Sequence, residues 1–151
     1  MKYQGGFSFM FNGAIGVIAG CVALIAPAQA QSPAPGPELF IELNTVSEIE
    51  NGCRLAFLAQ NTLGSDLDAL VLETVLFTSD GNVERLTLFD FQDLPQGRPR
   101  VRQFDLTGVQ CPTLGDVLIN GVNQCDGENI DQNACSQNLK LNSNTNHEVL
   151  G

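Results

Sequence analysis

The sequence predicts an all-β fold: an antiparallel sandwich of about seven strands whose C-terminal segment is clamped by a disulfide. Three observations carry this expectation. Residues 67–91, LDALVLETVLFTSDGNVERLTLFDF, hold two apolar runs around Ser79-Asp80-Gly81-Asn82. Asp-Gly between such runs marks a hairpin, because glycine accepts the positive φ of a tight turn. Strand-like segments recur roughly every 10–15 residues with turn residues between them and no strong helix. Four cysteines follow the N-terminal leader, an even number suited to cross-linking strands. The expected connectivity is immunoglobulin-like, without the tryptophan of antibody domains, since the chain contains none.

Residues 1–30 read as a secretory signal peptide. Lys2 is followed by a nearly continuous apolar run from Phe7 to Ile25, and the small residues of Ala28-Gln29-Ala30 fit cleavage between Ala30 and Gln31. A membrane anchor fits less well, because Asn12, several glycines and Pro27 interrupt the run and no basic stop follows it. Ile18-Ala19-Gly20-Cys21 matches the pattern before a lipidated bacterial cysteine, but the next residues, Val22-Ala23-Leu24-Ile25, are apolar rather than a polar tether. No twin arginine is present. Cleavage leaves no transmembrane segment.

Residues 31–38, QSPAPGPE, form a Pro-rich linker, and residues 39–151 the sandwich domain. In 39–43, Leu39, Ile41 and Leu43 face inward and Glu42 outward. An acidic loop, 47–50, leads to an Asn51-Gly52 turn. In 53–61, Cys53, Leu55, Phe57 and Ala59 share one face, with Arg54 and Gln60 opposite. Residues 70–77 are apolar on both faces, as in a strand covered on both sides or a bulged one. After the turn 94–97 comes 98–106, with Pro99 near its start, where a missing N–H is tolerated on an edge. The strand 116–120 ends at Gly121, and a polar, Asn-rich stretch follows. Residues 130–136 form one helical turn, 139–142 a last short strand, and Val149 and Leu150 dock from an otherwise loose tail.

Cys53, Cys111, Cys125 and Cys135 imply two disulfides in an oxidising compartment, with three pairings open. Cys125 and Cys135 bracket a polar segment, where a local bridge is natural, which leaves Cys53 for Cys111. A zinc site would want a close Cys-x-x-Cys pair, and none occurs.

Loss of the leader removes Lys2 and no acid. Six basic against seventeen acidic residues remain, net −11. That balance argues against nucleic acid or an anionic membrane surface as partner. The sole histidine, His147, lies in the tail, and no Gly-x-Ser-x-Gly, His-Glu-x-x-His or phosphate loop occurs, so triad and zinc-hydrolase chemistry are not expected. Paired carboxylates lack the aromatic platform that sugar chemistry uses. No cofactor is expected. The best metal candidate is calcium held by Asp126, Glu128 and Asp131, although the loop does not match the EF-hand pattern. Arg98, Arg100 and Arg102 share a strand parity that would suit an anionic ligand; the plainer reading pairs them with nearby acids.

The segments LVLETVLF, GNVERLTLFDF, LPQGRPRVRQFDL and DVLING, with the two later cysteines, resemble a family of short, uncharacterised exported proteins of Gram-negative bacteria, often labelled Tat-pathway signal proteins. The resemblance covers about residues 39–151 and implies export but no activity. The missing twin arginine departs from that label. The expected function is a non-catalytic periplasmic or secreted binding or accessory module. The alternatives are a small-anion or calcium carrier, and a lipid-anchored envelope protein held through Cys21.

Overall fold

Residues 36–151 of the computed structural model are described. The expected signal peptide, its Ala30–Gln31 junction, Cys21 and the linker up to residue 35 lie outside the described residues.

The strands are β1 (Leu39–Ile49), β2 (Gly52–Asn61), β3 (Leu67–Thr78), β4 (Val83–Leu94), β5 (Arg100–Thr107), β6 (Leu114–Gly127), β7 (Leu139–Ser143) and β8 (Val149–Leu150). One helix, α1, spans Gln132–Gln137. Two four-stranded sheets, ordered β5-β2-β1-β7 and β4-β3-β6-β8, pack as a sandwich. The all-β expectation therefore holds, with eight strands rather than seven. Six strands pair antiparallel with their neighbours, whereas β7 runs parallel to β1 and β8 parallel to β6.

Alternation decides which face is buried. Leu39, Ile41 and Leu43 of β1, and Cys53, Leu55, Phe57 and Ala59 of β2, are completely buried. Sheet β4-β3-β6-β8 answers with Leu70, Leu72, Leu76, Phe89, Phe91, Val117 and Ile119. At the β4–β5 flank the core is aromatic. Phe89 and Phe104 stack with centroids 4.1 Å apart, and Phe57 meets both of them and Phe91 within 5.9 Å. Asn61 is fully buried and fully used. Its Nδ2 donates to the carbonyls of Ser65 and Leu94, and its Oδ1 accepts from the Leu63 N–H.

Both short connections obey turn chemistry. The β1–β2 hairpin turns on Glu50 and Asn51, with Asn51 at φ 61°; the β3–β4 hairpin turns on Gly81 at φ 80°. Gly52 is needed for another reason, since a Cβ there would stand 2.5 Å from the Leu106 carbonyl oxygen of β5.

Three expectations need correction. Residues 47–49 are not a loop: β1 continues to Ile49, after a bulge between Leu43 and Thr45 lets it keep pairing with β2. The polar stretch after Gly121 is also strand. β6 runs to Gly127 because β3 offers it a ladder from Leu67 to Thr78; Asn120 and Asn123 fall at bulges in it, and the pairing overrides the weak strand propensity of Gln124 and Asp126. The tail is not loose, because Ser143, Thr145 and His147 hydrogen-bond to one another and Glu148 bridges to β6. The doubly apolar run 70–77 is resolved as a central strand with bulges.

Two disulfides, Cys53–Cys111 and Cys125–Cys135, complete the framework. The first joins inward-facing Cys53 to the short 3-10 turn Cys111–Thr113 that leads into β6. The second clips α1 to β6. They mark the protein as non-cytoplasmic. Among the described residues no helix is long and apolar enough to cross a membrane.

Candidate binding surface

The positions singled out in the sequence do not converge. Asp126, Glu128 and Asp131 lie near the end of β6, but no group of three or more His, Cys, Asp or Glu residues able to hold a metal occurs among the described residues. Asp131 caps α1, accepting the Ala134 N–H at 2.8 Å, and Asp126 accepts from Gln124. Both carboxylates thus have structural work beside the Cys125–Cys135 bridge.

The arginines diverge as well. β5 pairs with β2 in unbroken register, so the shared parity of Arg100, Arg102, Phe104 and Leu106 is real. Phe104 and Leu106 reach the core, while Arg102 turns across the flank of the sandwich. Its Nε donates to the Phe91 carbonyl at 2.6 Å and its Nη2 to the Asp93 carbonyl at 2.8 Å, with the Asp93 carboxylate at 3.2 Å. These donors close β5 onto the end of β4 and are not free for an anion. The Arg100 side chain donates to the neighbouring Pro99 carbonyl.

His147 is held by its Nδ1, 2.9 Å from the Gly115 carbonyl oxygen. It borders a shallow groove of about 570 Å³ with Asn44, Thr45, Cys111 and Asn146. Amide and hydroxyl groups line it, and Cys111 is already in a disulfide.

A surface that the sequence did not reveal stands out on the outer face of β4-β3-β6-β8. Leu86 of β4 lies opposite Val75 of β3, Val75 opposite Leu118 of β6, and Leu118 opposite Leu150 of β8. Partners in register point to the same side of a sheet, so these four side chains form an apolar row across all four strands. Leu88 extends the row along β4, and Val83 faces Phe77 at the hairpin end. Exposure is highest on the edge strand β4, where Val83 is 65% exposed, Leu86 59% and Leu88 51%; it falls to 8% at Val75 and returns to 40% at Leu150 on the other edge.

The charges around this row have one sign. Glu84 and Asp90 share the parity of Leu86 and Leu88 on β4, Glu73 lies opposite Leu88, and Asp116 and Glu148 flank the β8 end. The bases lie elsewhere: Arg54 on β2, Arg98, Arg100 and Arg102 on or beside β5, and Lys140 on β7. Arg85, the one base on β4, reaches across to the Thr107 carbonyl of β5. The result is a contiguous apolar strip framed by acids on a solvent-facing sheet surface.

The signal for it lay in the parity of β4. Leu86 and Leu88 occupy even positions with Glu84 and Asp90, while Phe89 and Phe91 occupy odd ones, so one strand offers an apolar side to each direction. No family model, curated protein or solved structure matches the chain.

Proposed function

We propose that the chain is a non-catalytic binding or accessory module, exported to the periplasm or beyond, which docks a protein partner on the outer face of β4-β3-β6-β8. The apolar row ending in exposed Leu86 and Leu88 is the observation that carries this reading. Export rests on the leader pattern, with cleavage after Ala30, and fits the two disulfides. The resemblance to short exported proteins of Gram-negative bacteria points the same way. An immunoglobulin-like reading of the fold is supported by β5 lying beside β2 and β6 beside β3 across the two sheets. The parallel edge strands β7 and β8 depart from it. The net charge of −11 for residues 31–151 disfavours nucleic acid as the partner.

The test uses the exported protein immobilised and exposed to detergent-solubilised envelope of its own cell. L86E/L88E should weaken retention of the partner by about thirtyfold or more, as expected for a central hot spot. Val101→Glu, an equally exposed position on the opposite sheet, should leave it unchanged. Equal loss from both variants, or from neither, would refute docking on this face.

A further inference from the structure

The outermost strand of the docking face is itself incomplete. Among the described residues β4 is the end of its sheet, with no strand paired beyond it. Its last residues are closed by Arg102, which occupies the carbonyls of Phe91 and Asp93. Residues 84–90 have no such cover. Natural sheets blunt an exposed edge with proline, lysine or a very short strand. The other ends use these devices: β5 follows Pro99 and carries Arg100 and Arg102, β7 carries Lys140, and β8 has two residues. β4 is twelve residues long, with neither lysine nor proline; its one base, Arg85, leans to β5, and its bulges fall at Glu84 and Phe91, outside the regularly paired residues 85–90. Along the row the exposure is highest at its β4 end, 59% at Leu86 against 8% at Val75 and 40% at Leu150 on the other edge, β8.

We infer that the partner binds by strand addition, laying an extended segment antiparallel along residues 84–90 of β4, with Lys or Arg opposite Glu84 and Asp90 and apolar residues opposite Leu86 and Leu88. This rests on the docking face proposed above. Backbone pairing would supply the affinity and the alternating side chains the selectivity. A second copy of the chain is a poor occupant. Antiparallel self-pairing that brings Leu86 against Leu88 sets Glu84 of each chain against Asp90 of the other. Like charges directly opposite destabilise a ladder, and each chain is already strongly acidic. A partner with a basic-x-apolar-x-apolar-x-basic pattern meets the same edge with attraction at both ends.

The experiment titrates the full-length exported protein with two synthetic peptides, Lys-Thr-Leu-Thr-Leu-Thr-Lys and Glu-Thr-Leu-Thr-Leu-Thr-Glu, each placed within a fluorescein-labelled 11-mer. Binding is read by anisotropy and its location by amide hydrogen exchange. The Lys peptide should bind about tenfold tighter or more at low salt, since two attractive pairs replace two repulsive ones. That advantage should shrink as salt rises, and exchange should slow within residues 84–90. In L86E/L88E the peptide loses its apolar contacts and the protection should vanish, while the melting temperature verifies the fold. Equal affinity for the two peptides, protection elsewhere, or a β4-protected dimer without peptide would overturn strand addition. Should the peptides fail while L86E/L88E still loses the cellular partner, docking on the face stands and its strand-addition form does not. If L86E/L88E keeps that partner, both fall.

Discussion

The two outer faces of the sandwich are built from strands of similar length, yet they are dressed in opposite ways. On β5-β2-β1-β7 the charges of the central strands have local partners. Arg54 and Asp105 are directly opposite across β2 and β5, joined by two hydrogen bonds of 2.6 and 2.8 Å, and Asn142 donates to Glu42 between β7 and β1. Val101 is the one large apolar side chain left prominent there. On β4-β3-β6-β8 the acids have no basic partner on their own face and surround a continuous apolar row. Both faces cover the same core, so stability does not require the difference. The first face, with ion and hydrogen-bonded pairs across its central strands, is the more finished of the two, whereas the apolar strip inside a single-sign rim is what the proposed docking would cover.

The most disruptive test of that contrast removes what the faces share. Replacing Cys53 and Cys111 together by alanine opens a loop of 58 residues and should cost about 4 kcal/mol. Denaturation followed by hydrogen exchange should show both sheets loosening together. Loosening confined to one sheet would mean that the faces belong to separate cooperative units. Arg102→Ala acts on the flank between them. It deletes charge-assisted bonds to two β4 carbonyls and should cost about 2 kcal/mol in urea unfolding. It should also lengthen the open edge of β4, read as increased self-association in sedimentation. L86E/L88E should lower stability by about 1 kcal/mol, since both side chains are already mostly in water but a carboxylate at position 88 stands opposite Glu73, and it should abolish the proposed docking.

The smallest effect belongs to the finished face. The hydrogen bond from Arg54 holds the Asp105 carboxyl below its ordinary range, and the same bond raises the guanidinium. A carboxylate with a depressed folded value contributes stability above its unfolded value, near pH 4, and loses it as pH falls through the folded one. Asp105→Asn should therefore be slightly less stable than the parent at neutral pH, with the gap closing in acid, as read by thermal melts across pH 2–7. The effect is small because the pair is exposed.

Much of the framework was legible in the sequence because it is written in local terms. Asp80-Gly81 names its hairpin, and the alternation of 53–61 names its buried face. The polar loop between Cys125 and Cys135 names the shorter disulfide. What escaped depends on partners distant in the chain. Gln124 and Asp126 are strand only because β3 holds them in a ladder, and β7 and β8 are parallel because each returns to an edge that earlier strands created. The apolar row escaped for the same reason. Leu86, Val75, Leu118 and Leu150 are scattered in sequence, and only the registers of three strand pairs align them. Arg102 taught the converse: its parity with Arg98 and Arg100 suggested a stripe, but the sandwich flank offered its guanidinium two carbonyls first.

The most direct measurement is a photo-crosslinking scan of the exported protein in its own cell, with a benzophenone amino acid replacing, one at a time, Leu86, Leu88, Val101 and Arg54. A single partner band from Leu86 and Leu88, absent from Val101 and Arg54, is the predicted result. Cross-links of equal strength from both faces, or from Val101 and Arg54 alone, would contradict the assignment of docking to β4-β3-β6-β8.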